Sequence, residues 1–127
     1  MIVNAIVHES AMAAPDEACG LLFGSVDRVT AWSATPNVAA EPHRHFEIDP
    51  AALIAAYRAE RAGGPVLIGW WHSHPGGDAA PSPTDAAMAV PDGRLWLIVG
   101  AGGVAAWRAL NGGTVHGRFD PVTIELA

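Results

Sequence analysis

The stretch WWHSHPGGDAAPSPTD, residues 70–85, places His72 and His74 one residue apart at the end of an apolar run, then a Pro/Gly-rich loop, then an acid. Along a strand side chains alternate, so the two histidines face one side while Ser73 faces the other. Two imidazoles on one side can share one ion. Seven residues separate His74 from Ser82, and Asp85 stands three beyond Ser82. If Ser82 opens a helix, positions 82 and 85 share one face of its first turn, and a loop folding back would deliver the Asp85 carboxylate as a third ligand. A second reading needs no ion: Ser82 as N-cap, Pro83 at N1 and Asp85 at N3 form a capping box. Capping accounts for Ser82 and Asp85, but not for the histidines.

Two imidazoles and one carboxylate leave tetrahedral Zn2+ one open position, the ligand count of a catalytic rather than a structural site. Water bound there falls in pKa to about 7, so hydroxide becomes available at neutral pH. Such a site also needs a base. PDEACGLLFG offers Glu17 at the entry of an apolar strand, with Asp16 beside it as a competitor.

These residues must be positioned by a mixed α/β pattern. MIVNAIV reads as an opening strand or a helix entry, and ESAMAAPDEA as a short helical stretch that Pro15 ends. CGLLFGSV and RVTAWSAT read as two strands joined by a turn near residues 25–27. Residues 36–49 form a polar, proline-bounded loop. Asp49 and Pro50 then start a helix through AALIAAYRAERA, stopped by Gly63 and Gly64. VLIGWW is a buried strand running into His72, a short helix covers Ser82 to about Val90, and RLWLIVGA, VAAWRAL, TVHGRF and VTIEL make four further strands. The architecture expected is one domain over residues 1–127: a mixed sheet flanked by helices, its last strands antiparallel.

Composition narrows the function classes. The formal charge is -6 and no Lys/Arg cluster is present, which argues against nucleic acid and anionic membrane surfaces. Every apolar run is broken well short of the roughly 18 residues of a membrane span. The start lacks a basic, then apolar, leader, so a cytoplasmic location is expected. The single cysteine, Cys19, can make no internal disulfide and reads as a small buried residue. Trp32, Trp96 and Trp107 lie in apolar strands and read as core, whereas adjacent Trp70 and Trp71 must face opposite ways. His43 and His45 form a second His-x-His without a third ligand at a persuasive spacing, and His8 and His116 read as ordinary surface or strand positions.

The set of Glu17 in EACGLLFG, HSHP at 72–75, Ser82 and Asp85 resembles the JAMM (MPN-plus) metalloprotease signature, E…HxHx7Sx2D. The resemblance extends along essentially the whole chain, including FEIDP at 46–50 before the long helix. It implies a cytidine deaminase-like fold with one zinc per chain held by His72, His74 and Asp85. Glu17 would be the general base and Ser82 would help stabilise the oxyanion. It further implies cleavage of a peptide or isopeptide bond after the C-terminal Gly-Gly of a ubiquitin-like or sulfur-carrier protein. The short connection from Asp85 to RLWLIVG resembles the compact prokaryotic members. In relatives the segment matching 36–49 pairs with the substrate tail, so Trp70 and Trp71, or the loop residues His43, His45 and Phe46, are expected to shape a substrate channel, with His45, Phe46 and Trp71 foremost. The same fold has members without metal that act as interaction modules, which is the alternative; a branch associated with DNA repair shares the H-x-H-P…S-x-x-D core. A module would have no physical need to keep all five residues together.

Overall fold

A computed structural model describes residues 1–127. Helix α1 spans Ile2–Ala13, and Ile2, Ile6 and Ser10 form the four-residue stripe that turns inward, with Ile6 and Ser10 buried. The opening segment is therefore helix and not strand. Strands β1 (Cys19–Ser25) and β2 (Arg28–Thr35) form the expected hairpin. Helix α2 (Pro50–Arg61) begins where Asp49 accepts a hydrogen bond from Ala51 N at 3.0 Å. Strand β3 (Leu67–Ser73), the short helix α3 (Pro83–Met88), β4 (Leu95–Gly100), β5 (Gly103–Gly113), β6 (Gly117–Val122) and the two-residue β7 (Glu125–Leu126) complete the chain.

The strands make one seven-stranded sheet in the order β6-β5-β4-β3-β1-β2-β7. Pairing is antiparallel except between β3 and β4 and between β2 and β7. Three expectations shift here. Thr114–His116 form a turn, with His116 at φ 53°, so β6 starts at Gly117 and not at Thr114. VTIEL divides between the end of β6 and β7, and β7 joins β2 in parallel rather than antiparallel. Helix α3 stops at Met88, because Ala89 has left helical backbone. No helix is long and apolar enough to cross a membrane.

Alternation sorts the core onto both faces. Ile6, Leu22, Trp71, Leu95 and Leu97 pack on the α1 side; Cys19, Leu21, Phe46, Ala56, Trp96 and Phe119 pack on the α2 side. Gly20 is required by this arrangement: a Cβ there would lie 2.4 Å from Trp71 Nε1, whose N–H donates to Ser33 O at 2.9 Å. Of the three tryptophans read as core, Trp96 is buried, while Trp107 is half-buried against the α2-side cluster that holds Trp96 and Trp32 is half-buried against Trp71 on the α1 side.

The topology decides where chemistry is possible. Parallel β3 and β4 need a crossover, so the chain leaves the sheet at the end of β3 and returns through α3. Antiparallel β1 starts beside the place where β3 ends, with Cys19 opposite His72. Residues just before β1 and just after β3 therefore meet at one end of these two central strands.

Candidate active site

His72, the last residue but one of β3, is fully buried, its ring stacked on Phe46 at 4.1 Å and 18° and set edge-on to Trp96 at 5.6 Å. His74 is fixed twice: its backbone N–H donates to Val99 O at 2.8 Å, and Nδ1 donates to Asp78 O at 2.9 Å. With Nδ1 protonated by that bond, the neutral ring keeps a free lone pair on Nε2. The two Nε2 atoms approach to 3.0 Å.

Asp85 closes the group from α3. Its Oδ1 lies 3.2 Å from His72 Nε2 and its Oδ2 3.1 Å from His74 Nε2. The same Oδ2 accepts Ser82 N–H at 2.9 Å, and Asp85 N–H donates to Ser82 Oγ at 3.0 Å. The capping box and the approach to the histidines are thus made by one carboxylate at once, and the two readings of SPTD do not compete.

Glu17 arrives from the strand beside them. Its carboxylate forms a compact group with both histidines, one ligating atom of each lying within 4.8 Å of the others. It is 7% exposed and its Oε1 has no hydrogen-bond partner, whereas Asp16 is exposed. Backbone bonds place it: Glu17 N–H donates to Pro42 O at 2.8 Å, and Asn37 Nδ2 donates to Glu17 O at 2.9 Å. One residue on, Ala18 N–H donates to the Ser73 hydroxyl at 2.8 Å, and Ser73 N–H returns a bond to Ala18 O at 3.0 Å.

The charges suit a cation and a base. Burial lowers the His72 pKa and keeps its ring neutral, outweighing the hydrogen bond and charge of Asp85. For His74 burial also disfavours charge, but the Asp85 bond, the Asp85 charge and the Asp78 carbonyl prevail and raise its pKa. Burial opposes the Asp85 anion, yet hydrogen bonds from both histidines hold its carboxyl well below the usual carboxylate range. Glu17 is pushed up to about 7, chiefly by burial, with His74 opposing and Asp85 adding to the rise. The donor set fits a small divalent ion: ligands of a tetrahedral zinc at ~2.0–2.1 Å stand about 3.3 Å apart, near the 3.0–3.2 Å seen here.

Four cavities surround this group: Glu17 and Trp71 border one of about 280 Å3, and His74 borders one of about 230 Å3. A polar one of about 550 Å3 is lined by Glu17, His74 and Ser82, together with His43, Arg44 and His116. An apolar one of about 220 Å3, bordered by Phe46, Ile48, Trp70, Met88 and Trp96, lies on the Phe46 side of His72. Trp71 is fully buried under α1 on the face opposite His72, where it lines the cavity that Glu17 and Asn37 also border. His45 is half-buried, its carbonyl accepts Asn37 Nδ2 at 3.1 Å, and it lines none of the four; His43 lines the polar one instead.

Sequence reading missed three contributors. Ser73 stitches β1 to β3. Asn37 also accepts Ala39 N–H and Glu47 N–H at 3.0 and 3.1 Å, so one side chain organises the whole 37–47 loop. His116, in the lining of the polar cavity, reaches Pro81 O at 3.0 Å. An asparagine heading a long loop was the available signal for the second; nothing in the sequence pointed to the third.

A family model described as prokaryotic homologs of the JAB domain matches residues 2–110. The chain belongs to this family. Among JAB-domain relatives it is 41% identical over 86 residues to the desampylase of Haloferax volcanii, covering 66% of this chain and 62% of that protein. It is 39% identical over 99 residues to the "Probable TtuB-protein conjugate cleaving protease" of Thermus thermophilus, covering 74% and 62%. The CysO-cysteine peptidase of Mycobacterium tuberculosis is 32% identical over 100 residues, covering 76% and 68%. The chain thus spans somewhat under two thirds of the length of the first two. The JAB fold itself is seen in the crystal structure of a JAB1/MPN domain protein from Archaeoglobus fulgidus, with TM-score 0.62 at 20% identity over 99% of this chain and 92% of that one.

Proposed function

We propose that this protein is a zinc metallopeptidase that hydrolyses the peptide or isopeptide bond following the C-terminal Gly-Gly of a ubiquitin-like or sulfur-carrier protein. One observation carries the reading: His72, His74 and Asp85 converge to 3.0–3.2 Å beside a buried, unpartnered Glu17 carboxyl. Relatives named for cleaving a TtuB-protein conjugate and CysO-cysteine support the substrate class. His72, His74 and Asp85 would hold the ion, and when bound it supplies Lewis-acid polarisation and a lowered pKa for water.

The rest is done by the chain. Glu17, with a pKa raised to about 7 mainly by burial, is matched to take a proton from the attacking water and return it to the leaving amine. Ser82 Oγ already accepts from Asp85 N–H, so its own hydroxyl proton is free to donate to an oxyanion at the cavity wall. Phe46 and Trp96 hold the His72 ring and exclude water behind it. The scissile bond would sit in the polar cavity that Glu17, His74 and Ser82 line, and the apolar cavity beyond Phe46 would offer contacts to the carrier. A cytoplasmic location belongs to the same reading.

The test is intact-mass analysis of zinc-loaded protein incubated with ubiquitin, TtuB and CysO, each built to continue beyond Gly-Gly either linearly or through a lysine side chain. Cleavage directly after Gly-Gly by the wild type and not by Glu17→Gln is the expected result. Equal cleavage by the variant would sink the assignment.

A further inference from the structure

This inference rests on the peptidase reading and concerns which bond is cut. A base that returns its proton to the leaving amine must lie beside that amine. Glu17 lines the polar cavity together with His74 and Ser82, so a group attached to that amine has room there.

The polar cavity has one permanently charged cation in its lining. The seven basic residues are all arginines, and most are engaged. Arg28 pairs with Glu125, Arg94 stacks on Tyr57 and Trp70, Arg108 donates to the Gly93 and Val26 carbonyls, and Arg118 donates to Asn111. Arg44 makes no side-chain hydrogen bond or ion pair, although Glu41 and Glu47 are close in sequence. Its backbone is nevertheless fixed, since Arg44 N–H donates to Glu41 O at 2.9 Å within the loop that Asn37 organises. The other acids of the cavity are spoken for: Asp78 Oδ1 accepts Ala80 N–H and Glu17 is the base. A free guanidinium in the lining, on a chain of net charge -6, is the fork that matches a carboxylate with two parallel hydrogen bonds.

We infer that Arg44 is a specificity-determining residue that binds the free α-carboxylate of the leaving group, so that the preferred substrate is a carrier extended beyond Gly-Gly by one amino acid in ordinary peptide linkage. In that adduct a single carbon separates the leaving amine from the carboxylate. At a lysine isopeptide the amine ends a four-carbon stem whose own carboxyl is tied up in an amide, so no anion stands near it. The reaction balances as simple hydrolysis. The bond from the glycine carbonyl carbon to the amino-acid nitrogen breaks and a C–O bond forms to water oxygen. The water proton passes through Glu17 to nitrogen, giving a carrier with a C-terminal glycine carboxylate and a free amino acid.

Three versions of each carrier decide it: one ending Gly-Gly-Ala with a free carboxylate, one ending Gly-Gly-alaninamide, and one joined through Gly-Gly to the side chain of N-acetyl-lysine amide. The zinc-loaded wild type should cut the first with kcat/KM roughly tenfold or more above the others. Arg44→Ala should erase that preference through KM, bringing the free-carboxylate carrier down to the level of the amide. Calorimetry with Glu17→Gln should show the free-carboxylate carrier binding more tightly than the amide. Equal cleavage of all three, or a preference surviving in Arg44→Ala, overturns the inference and leaves the peptidase reading standing. If the wild type cuts none of them, the peptidase reading falls and takes this inference with it.

Discussion

His72 and His74 leave a buried strand, whereas His43 and His45 sit on the loop between β2 and α2. Both pairs have the same spacing, yet only the first gathers further ligating groups within reach. The difference is what arrives beside them. The strand pair has β1 alongside, which delivers Glu17, and a crossover ahead, which delivers Asp85. The loop pair has Asn37 beneath it, which satisfies backbone and brings no carboxylate. Ligand spacing is thus worth little until sheet topology supplies the rest of the shell.

That contrast can be broken most sharply at His72. His72→Ala should abolish both bound zinc and activity, and a full zinc equivalent by elemental analysis would remove His72 from the ligand set. Next comes Glu17→Gln, which should lower kcat by roughly a hundred- to ten-thousandfold while zinc stays bound. Zinc lost from that variant would make Glu17 a ligand instead of a base. Asp85→Asn should keep the helix cap, since an amide oxygen can still accept Ser82 N–H, but lose zinc affinity on titration with a competing chelator. A variant that binds zinc as the wild type does would leave Asp85 as a cap alone.

Smaller is a pH effect in metal-free protein. The folded pKa of Glu17, about 7, lies above its ordinary value of 4.5, so the folded state holds a proton longer than the unfolded one. Its contribution to stability is full below pH 4.5 and is lost as pH rises through 7. Glu17→Gln, which does not titrate, should therefore gain in Tm relative to wild type between pH 4.5 and 8, and a wild type that gains instead contradicts the buried-acid assignment. Smallest is the loop pair: His43→Ala with His45→Ala should leave zinc content unchanged and shift stability by no more than about 0.5 kcal/mol. Loss of zinc there would erase the contrast between the two pairs.

Much of this was legible in the chain. The β1–β2 hairpin, α2 with its Asp49 cap, and the strand leading into His72 follow from alternation, capping and glycine stops, and the structure has them within a residue or two. The five residues Glu17, His72, His74, Ser82 and Asp85 come together as their spacing suggested. The opening residues were ambiguous because MIVNAIV is too short and apolar for periodicity to separate helix from strand. A strand pattern says that Trp70 and Trp71 face opposite ways without saying which cavity each meets: Trp70 borders the apolar one and Trp71 the one it shares with Glu17. Lining residues such as Arg44 and His116 meet across the fold from positions 72 apart in sequence, and no local pattern encodes such an encounter.

The Ser73 hydroxyl, accepting Ala18 N–H where regular pairing of β1 has run out, adds one last rung to the ladder between the base-bearing and histidine-bearing strands. Proton acceptor and imidazoles are thereby clamped to a shared rigid frame, and the parts that would meet a carrier are fastened outside it: the 36–49 loop, the 75–81 loop and the tip of the β5–β6 hairpin. A lineage can exchange those jaws for new partners without re-machining the tool behind them. Regrafting those loops would change what the molecule meets while leaving untouched the strand ends that hold Glu17, His72 and His74.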